Sequence, residues 1–504
     1  MLPTVLDAAV VLLAFFIYKA IQRSRALLPP GPRPFLGFLA LPSGTDKEWH
    51  TYGKWAEQWG DLTSVTVFGQ PVVVINSIEV ASEMLDKKSS IYSDRPVFQM
   101  CGELVGWKWG TAFLSYAAPQ FKRARKYFHQ LFGTHTTLSQ FYPVTVDEYR
   151  KFLRCLLDSP ERFLSHIHHT TSAVVLRITY GYTVQPENDP IVAMVTSVMD
   201  EFSVSSAPGA FMVDLLPILK YVPAWVPGAG FQRKAKTWAN HLIEMIERPF
   251  KLVVDELAQG TAEDSFVSVL LRADLPAEEI IDAKWAAGTI YGGGAHTTAS
   301  AISIFFLAMT RYPDVQAKAQ AEIAAVLGSR RLPTFADRVN LPYVDALCKE
   351  VLRYHPVSPM GVPHRLMEDD THDGFFIPKG SIVLANIWSM THNPEVYANP
   401  MVFDPSRFIA SNHSTAEPDP GDFVFGFGRR VCPGKLLGDA SLFMACAMVL
   451  ATFTISKTIE EGVPVEPVED YQPGIISQPA AFKCTIKPRA EAVALISEEF
   501  AASS

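Results

Sequence analysis

Residues 425–434 read Phe-Gly-Phe-Gly-Arg-Arg-Val-Cys-Pro-Gly (FGFGRRVCPG), and the rest of the chain can be arranged around them. Gly426 and Gly428 lack a β-carbon, which lets backbone approach a flat ligand closely. Pro433 suits the first turn of a helix. Leu436, Leu437, Ala440, Phe443, Met444 and Ala447 supply the apolar stripe of that helix. Cys432 is thereby placed at a helix N-terminus, where unpaired N–H groups and the dipole favour a thiolate. Arg430 adds a fixed positive charge two residues away. A lone cysteine is ordinarily a buried, inert hydrophobe; the surrounding pattern of glycines, arginine and proline points instead to a ligand loop.

This stretch resembles the haem-ligand loop of the haem-thiolate monooxygenases, the cytochrome P-450 superfamily. The resemblance covers nearly the whole chain and implies a mainly α fold with small β-sheets, in one large haem domain. It implies haem b as cofactor, with Cys432 as the iron's axial thiolate and metal ligand, Phe425 and Gly426 against the cofactor, and Arg430 on a haem propionate.

Other segments carry the same resemblance. Phe121-Lys122-Arg123-Ala124-Arg125 stands where the family usually has Trp-x-x-x-Arg, so Arg125 is expected on a propionate while Phe121 lacks the indole donor. Pro363-His364-Arg365 resembles the strand start from which an arginine, here Arg365, reaches the other propionate. Glu350 and Arg353 alone are only an i, i+3 ion pair. With Arg407 in Phe403-Asp404-Pro405-Ser406-Arg407-Phe408 they resemble the family's structural Glu-Arg-Arg triad.

A helix is expected from about Pro276 to Tyr312, with acids in its first turn and Pro313 at its end. Gly292-Gly293-Gly294 inside it cost roughly 3 kcal/mol relative to alanines, which suggests a kink or a flat ligand against the backbone. The segment resembles the family's oxygen-binding turn, so Thr297 is implied as the threonine that hydrogen-bonds dioxygen. His296 stands where the family has an acid. As a proton relay it would titrate between about pH 5 and 8, and a residue adjacent to Thr297 points about 100° away from it. His166, His168 and His169 lack the carboxylates or thiols of a coherent metal set and read as structural.

Leu2 to Tyr18 is an apolar run interrupted by Asp7 and followed by Lys19, Arg23 and Arg25. Positive charge after the run holds that side in the cytosol. Pro29-Pro30-Gly31-Pro32 then forms a stiff hinge. The expected organisation is a membrane anchor over 1–28 and a catalytic domain over 29–504, single-pass in the endoplasmic reticulum membrane and facing the cytosol. Thr63–Val67 and Val72–Ile75 read as a hairpin around Phe68-Gly69-Gln70-Pro71. Leu215 to Gly228, proline-punctuated and aromatic, resembles a pocket roof that touches the bilayer. Gly474-Ile475-Ile476-Ser477 resembles the last pocket loop, most like fungal members. Six dispersed cysteines without a CxxC pair suggest reduced thiols, and a net charge of −8 without a basic stripe argues against nucleic acid as a partner.

The implied activity is insertion of one atom of dioxygen into an apolar small molecule. Electrons would come from NADPH through a separate flavoprotein reductase, docked on Lys122, Arg123 and Lys435. His296 keeps open a haem-thiolate isomerase or dehydratase that needs no dioxygen. A non-enzymatic membrane haem sensor is the third reading, opposed by Thr297 and the basic patch.

Overall fold

The computed structural model describes residues 28–32, 42, 47–328, 331–410, 415–490 and 493–496; the apolar run Leu2–Tyr18 and its basic flank lie outside them. The 3.6-residue apolar periodicities become helices, of which the main ones are α1 (Glu48–Trp59), α2 (Pro119–Phe132), α3 (Tyr142–Asp158), α4 (Phe163–Tyr180) and α5 (Pro190–Ser206). They continue as α6 (Gly230–Gln259), α7 (Ala277–Arg311), α8 (Pro313–Leu327), α9 (Pro342–Tyr354) and α10 (Lys435–Thr452).

α7 is the axis of the molecule. It starts after Pro276 with Glu278 and Glu279 against its dipole, and it stops at Arg311 because Pro313 opens α8. Every residue from Ala299 to Thr310 is buried, as expected of a helix apolar on all sides. The helix runs unbroken through Gly292–Gly294. Two of these glycines answer to packing, since a β-carbon on Gly292 would press Met199 of α5 and one on Gly294 would press Val175 of α4. α10 is the second core helix, fully buried from Phe443 to Leu450. Among the described residues it is the one helix long and apolar enough to cross a membrane, but 72% of that length is buried inside the protein.

A small sheet flanks the helices in the order β1 (Leu62–Val67), β2 (Gln70–Ile75), β6 (Ile382–Ala385), β3 (His364–Arg365). β1 and β2 form the expected hairpin, but its turn is only Phe68-Gly69, both in the left-handed region at φ 47° and 83°, while Gln70 and Pro71 already pair with β1. β2 runs parallel to β6, and β3 closes the sheet antiparallel. Three two-stranded ribbons complete the strands among the described residues: β4 (Asp370–His372) with β5 (Phe375–Ile377), β7 (Phe453–Ser456) with β10 (Thr485–Pro488), and β8 (Ile459–Glu460) with β9 (Val463–Pro464).

The segment after Cys432 differs from expectation in one respect. The helix begins at Lys435 behind Gly434, so Pro433 lies in the turn before it. The cause is the loop itself, in which the Cys432 N–H donates to the Phe425 carbonyl at 2.8 Å and ties the two ends together.

Candidate active site

The loop from Phe425 to Gly434 is held by backbone bonds and by close packing. Gly426 adopts φ +86° and Gly428 φ +54°, conformations that L side chains avoid. Gly428 has a second reason to be glycine: a β-carbon there would collide with the carbonyl of Leu85. Its N–H donates to the Asp86 carboxylate at 2.5 Å, docking the loop on the wide-turn helix Ser82–Lys87. That glycine therefore serves protein packing rather than approach to a ligand.

Cys432 keeps accessible surface, yet burial pushes its thiol up, so it faces a space inside the fold. The Gly434 N–H and the charge of Arg125 act in the opposite direction without prevailing. A bound cation would supply the missing stabilisation, because metal ligation deprotonates a thiol outright.

Beside the loop lies a concentration of positive charge. Arg430 is buried and donates to the carbonyls of Ser93 at 2.7 Å and Leu114 at 2.6 Å. Arg95, also buried, donates to the carbonyls of Ala112, Val362 and Pro363. Arg125 donates to the Val431 carbonyl at 2.7 Å, next to Cys432. Burial foremost, with Arg125 adding to it, pushes Arg430 down to about 10 against the pull of Asp94. Burial and Arg430 likewise lower Arg95. Asp94, the carboxylate in reach, is committed elsewhere, accepting from Arg365, from the Ser115 hydroxyl and from the Tyr116 N–H. Three guanidiniums held by neutral carbonyls call for anions. A cofactor bearing two carboxylates, on one side of a cysteine thiol, fits this set.

The middle of α7 is linked to this region through Thr111. Gly293 is exposed within a helix whose neighbours Gly292 and Ala295 are buried, and a β-carbon on it would meet nothing within 4 Å. The Thr297 hydroxyl donates to the Gly293 carbonyl at 2.6 Å, which places both on this open face. Thr111 makes the link: its N–H donates to Thr289 of α7 at 3.1 Å, and its carbonyl lies 3.5 Å from the Arg430 guanidinium. Above, Trp107, Phe113 and Phe98 join Phe202 in an aromatic cluster with centroid spacings of 4.9–5.8 Å. The Gly474–Ser477 loop is fastened to α7 by Ser300 donating to the Ser477 carbonyl at 2.6 Å, and to the segment after α9 by Ser358 donating to Ile475 at 2.7 Å.

His296 turns away from this space toward α4, where the ring of His168 lies 5.5 Å off. Burial, with His168 adding, pushes His296 down to about 4, below the range expected from its ordinary value.

Beneath the loop, Glu350, Arg353 and Arg407 come together although Arg407 is remote in sequence. Glu350 accepts from Arg353 at 2.7 and 2.9 Å, from Arg407 at 3.2 Å and from the Asp404 N–H at 2.7 Å. Arg353 also donates to the carbonyls of Thr391, Pro400 and Val402, and Arg407 to those of Ala398 and Val402 and to Glu417. The Glu350 and Arg353 side chains are fully buried, so removing one partner would strand the others.

The family model described as cytochrome P-450 matches residues 29–485. The chain belongs to the cytochrome P-450 family. It is 51% identical over 487 residues to cytochrome P-450 monooxygenase 208 of Postia placenta, covering 96% of this chain and 94% of that relative. It is 40% identical over 491 residues to monooxygenase claR of Ampulloclitocybe clavipes, covering 96% and 91% of the two chains. Against monooxygenase ppsD of Aspergillus oryzae it is 40% identical over 473 residues, covering 92% and 89%. This cytochrome P-450 is therefore an oxidoreductase of the monooxygenase family, with haem-thiolate iron as cofactor.

For the cytochrome P-450 site, sequence reading named Arg430 and Arg125, which the structure brings together, and Arg365, which it places at the rim on Asp94. It passed over Arg95 and Asp86. The signal for Arg95 was present in Tyr92-Ser93-Asp94-Arg95-Pro96, but nothing local shows that an arginine will be buried without a carboxylate of its own. Arg123, expected on an outer docking patch, turns inward to Asp282 of α7 at 2.5 Å.

Proposed function

We propose that this cytochrome P-450 inserts one atom of dioxygen into an apolar small molecule, using electrons from NADPH delivered by a separate flavoprotein reductase. The observation that carries the proposal is an accessible Cys432 beside three carbonyl-held guanidiniums, with Thr111 tying this region to α7, whose exposed Gly293 accepts from Thr297. When bound, haem supplies the oxygen activation, with the thiolate donating electron density that favours O–O cleavage.

The chain's residues have separate tasks. Cys432 would hold the iron through its thiolate, and Phe425 and Gly426 would form the loop surface against the cofactor. Arg430 and Arg125, with Arg95, neutralise the two propionates, while Arg365 holds Asp94 away from them. Glu350, Arg353 and Arg407 keep the loop in place from below. Thr297 would offer its hydroxyl from the open face of α7, and His296, one residue earlier, would resupply protons from the α4 side. The aromatic cluster around Phe202 excludes water and receives an apolar substrate.

The domain arrangement follows: residues 1–28 anchor the chain in the endoplasmic reticulum membrane and 29–504 form the cytosolic catalytic domain. Ile218, Tyr221 and Trp225, at 70%, 72% and 82% exposure, offer a second apolar contact for the bilayer. Lys122 and Lys126, exposed one turn apart on α2, present positive charge to the reductase.

The test is reconstitution in vesicles with the reductase. Product should require NADPH, reductase and dioxygen together, with one labelled oxygen atom from dioxygen recovered in it. Turnover of an oxygenated substrate without dioxygen would replace this reading with an isomerase or dehydratase.

A further inference from the structure

Ser477 is fully buried, and each of its polar groups has a partner. Its N–H donates to the Val357 carbonyl just after α9 at 2.8 Å. Its carbonyl accepts from the Ser300 hydroxyl of α7 at 2.6 Å. Its own hydroxyl donates to the Gln472 carbonyl at 2.8 Å and lies 2.8 Å from Nε2 of His355. A hydroxyl has one proton to give and a carbonyl has none, so His355 is the donor and carries its proton on Nε2. Burial holds that imidazole neutral, and the Tyr471 ring stacks on it at 3.5 Å with the planes 10° apart. The Ser358 hydroxyl adds a bond to the Ile475 carbonyl at 2.7 Å.

This hub fastens the Gly474–Ser477 loop between two parts of the site. Ser300 follows Thr297 by three residues, so it leaves α7 on the same side one turn later. At its other end the loop approaches α5. Gly474 has φ +120°, and a β-carbon there would lie 3.8 Å from the hydroxyl of Ser203, the neighbour of Phe202 in the aromatic cluster. Between these ends, Ile475 and Ile476 pack against the core and keep part of their surface free. Moving the loop would leave buried donors and acceptors unpaired, which resists the movement. Ser303, a turn further along α7, provides the contrast: its hydroxyl returns to the Ala299 carbonyl of its own helix at 2.8 Å.

We propose that Ser300, Ser477 and His355 are positioning residues that set substrate selectivity. They hold the Gly474–Ser477 loop at one distance from the turn of Thr297, so that Ile475 and Ile476 form a rigid wall. That wall decides which apolar molecules fit and which of their positions are presented for reaction. The three residues act through the loop and touch neither substrate nor cofactor. This rests on the monooxygenase reading, in which substrate lies between α7 and the Phe202 cluster.

The experiment compares full-length holoenzyme with Ser300→Ala, Ser300→Thr, Ser477→Ala, His355→Phe and Ser303→Ala. His355→Phe keeps the stack on Tyr471 and loses the Nε2–H. The probes are imidazole and clotrimazole, which bind haem iron through the same kind of ring nitrogen and differ in bulk; Soret titration gives both affinities. Their ratio should change about three- to tenfold in Ser300→Ala, Ser477→Ala and His355→Phe. The change should lie in clotrimazole, while imidazole affinity and the carbon monoxide spectrum stay as in wild type. Ser300→Thr keeps the hydroxyl and should restore the ratio, and Ser303→Ala should not move it. A second readout needs no ligand: amide deuterium exchange in a peptide from Gln472 to Ala480 should be about tenfold faster in the same three variants. An unmoved ratio or unmoved exchange in Ser300→Ala and Ser477→Ala would overturn the proposal. An equal change in Ser303→Ala would reveal a general softening of α7 and overturn it too, as would loss of haem from all three hub variants. If the ratios follow the hub but wild type consumes neither NADPH nor dioxygen, the monooxygenase reading is what fails and the hub stands.

Discussion

The guanidinium carbon of Arg430 lies 3.9 Å from the centroid of the Phe121 ring. Phe121 is 5% exposed and stands where the family usually carries tryptophan. The aromatic face is retained although the indole N–H is not, so the residue still supports a buried cation by cation–π attraction, worth about 2 kcal/mol when desolvated.

Phe121→Ala should therefore lower both stability and haem content, with the lost packing and the lost cation–π contact together costing about 3–5 kcal/mol. Phe121→Trp should retain most of the haem. Thermal unfolding and the haem-to-protein absorbance ratio measure both, and equal losses in the two variants would show that the ring's volume, not its face, is what matters.

Glu350→Ala should yield little haem-loaded protein. It leaves Arg353, which is fully buried, and Arg407 without their common carboxylate. Breaking a buried pair costs about 3–5 kcal/mol, comparable with the lower range of a domain's total stability. Normal haem content with slower turnover would refute the structural role.

With carbon monoxide and reductant, the wild-type protein should show the strongly red-shifted Soret band of thiolate ligation, and Cys432→His should lose it. Persistence of the band in the variant would assign the iron to another residue.

Thr297→Val preserves shape and removes the hydroxyl that bonds Gly293. NADPH consumption should continue while product per NADPH falls several-fold and hydrogen peroxide rises. Unchanged coupling would remove Thr297 from the proton-handling site.

Acid stability should report on His296. Its folded-state value is about 4 against an ordinary 6.5, so between those pH values the unfolded chain binds the extra proton. Stability is complete above about pH 6.5 and declines as the pH falls toward 4. His296→Gln should flatten that part of the Tm-against-pH curve, and an unchanged slope would mean that the histidine is not held neutral in the fold.

Much was legible in the chain because it is local. The hairpin of β1 and β2, the start of α7 after Pro276 and its end before Pro313 follow from proline, glycine and apolar period acting within a few residues. The ring of residues around Cys432 was legible for the same reason, since a glycine-bounded loop followed by an apolar helix is written in ten consecutive positions. Glu350 and Arg353 could be seen as a pair, being one helical turn apart.

What only the tertiary structure decided is long-range and electrostatic. Burial pushes the Cys432 thiol up, and burial takes His296 down to about 4. Gly428 is required by the carbonyl of Leu85, and Gly292 and Gly294 by Met199 and Val175, all partners distant in sequence. The same holds for Arg123 on Asp282, Arg95 beside Arg430, and His168 facing His296. A side chain's spacing along the chain tells which way it leaves its own helix. Which charge or ring it meets there depends on how α2, α4, α5 and α7 pack, and packing is set by the whole core at once.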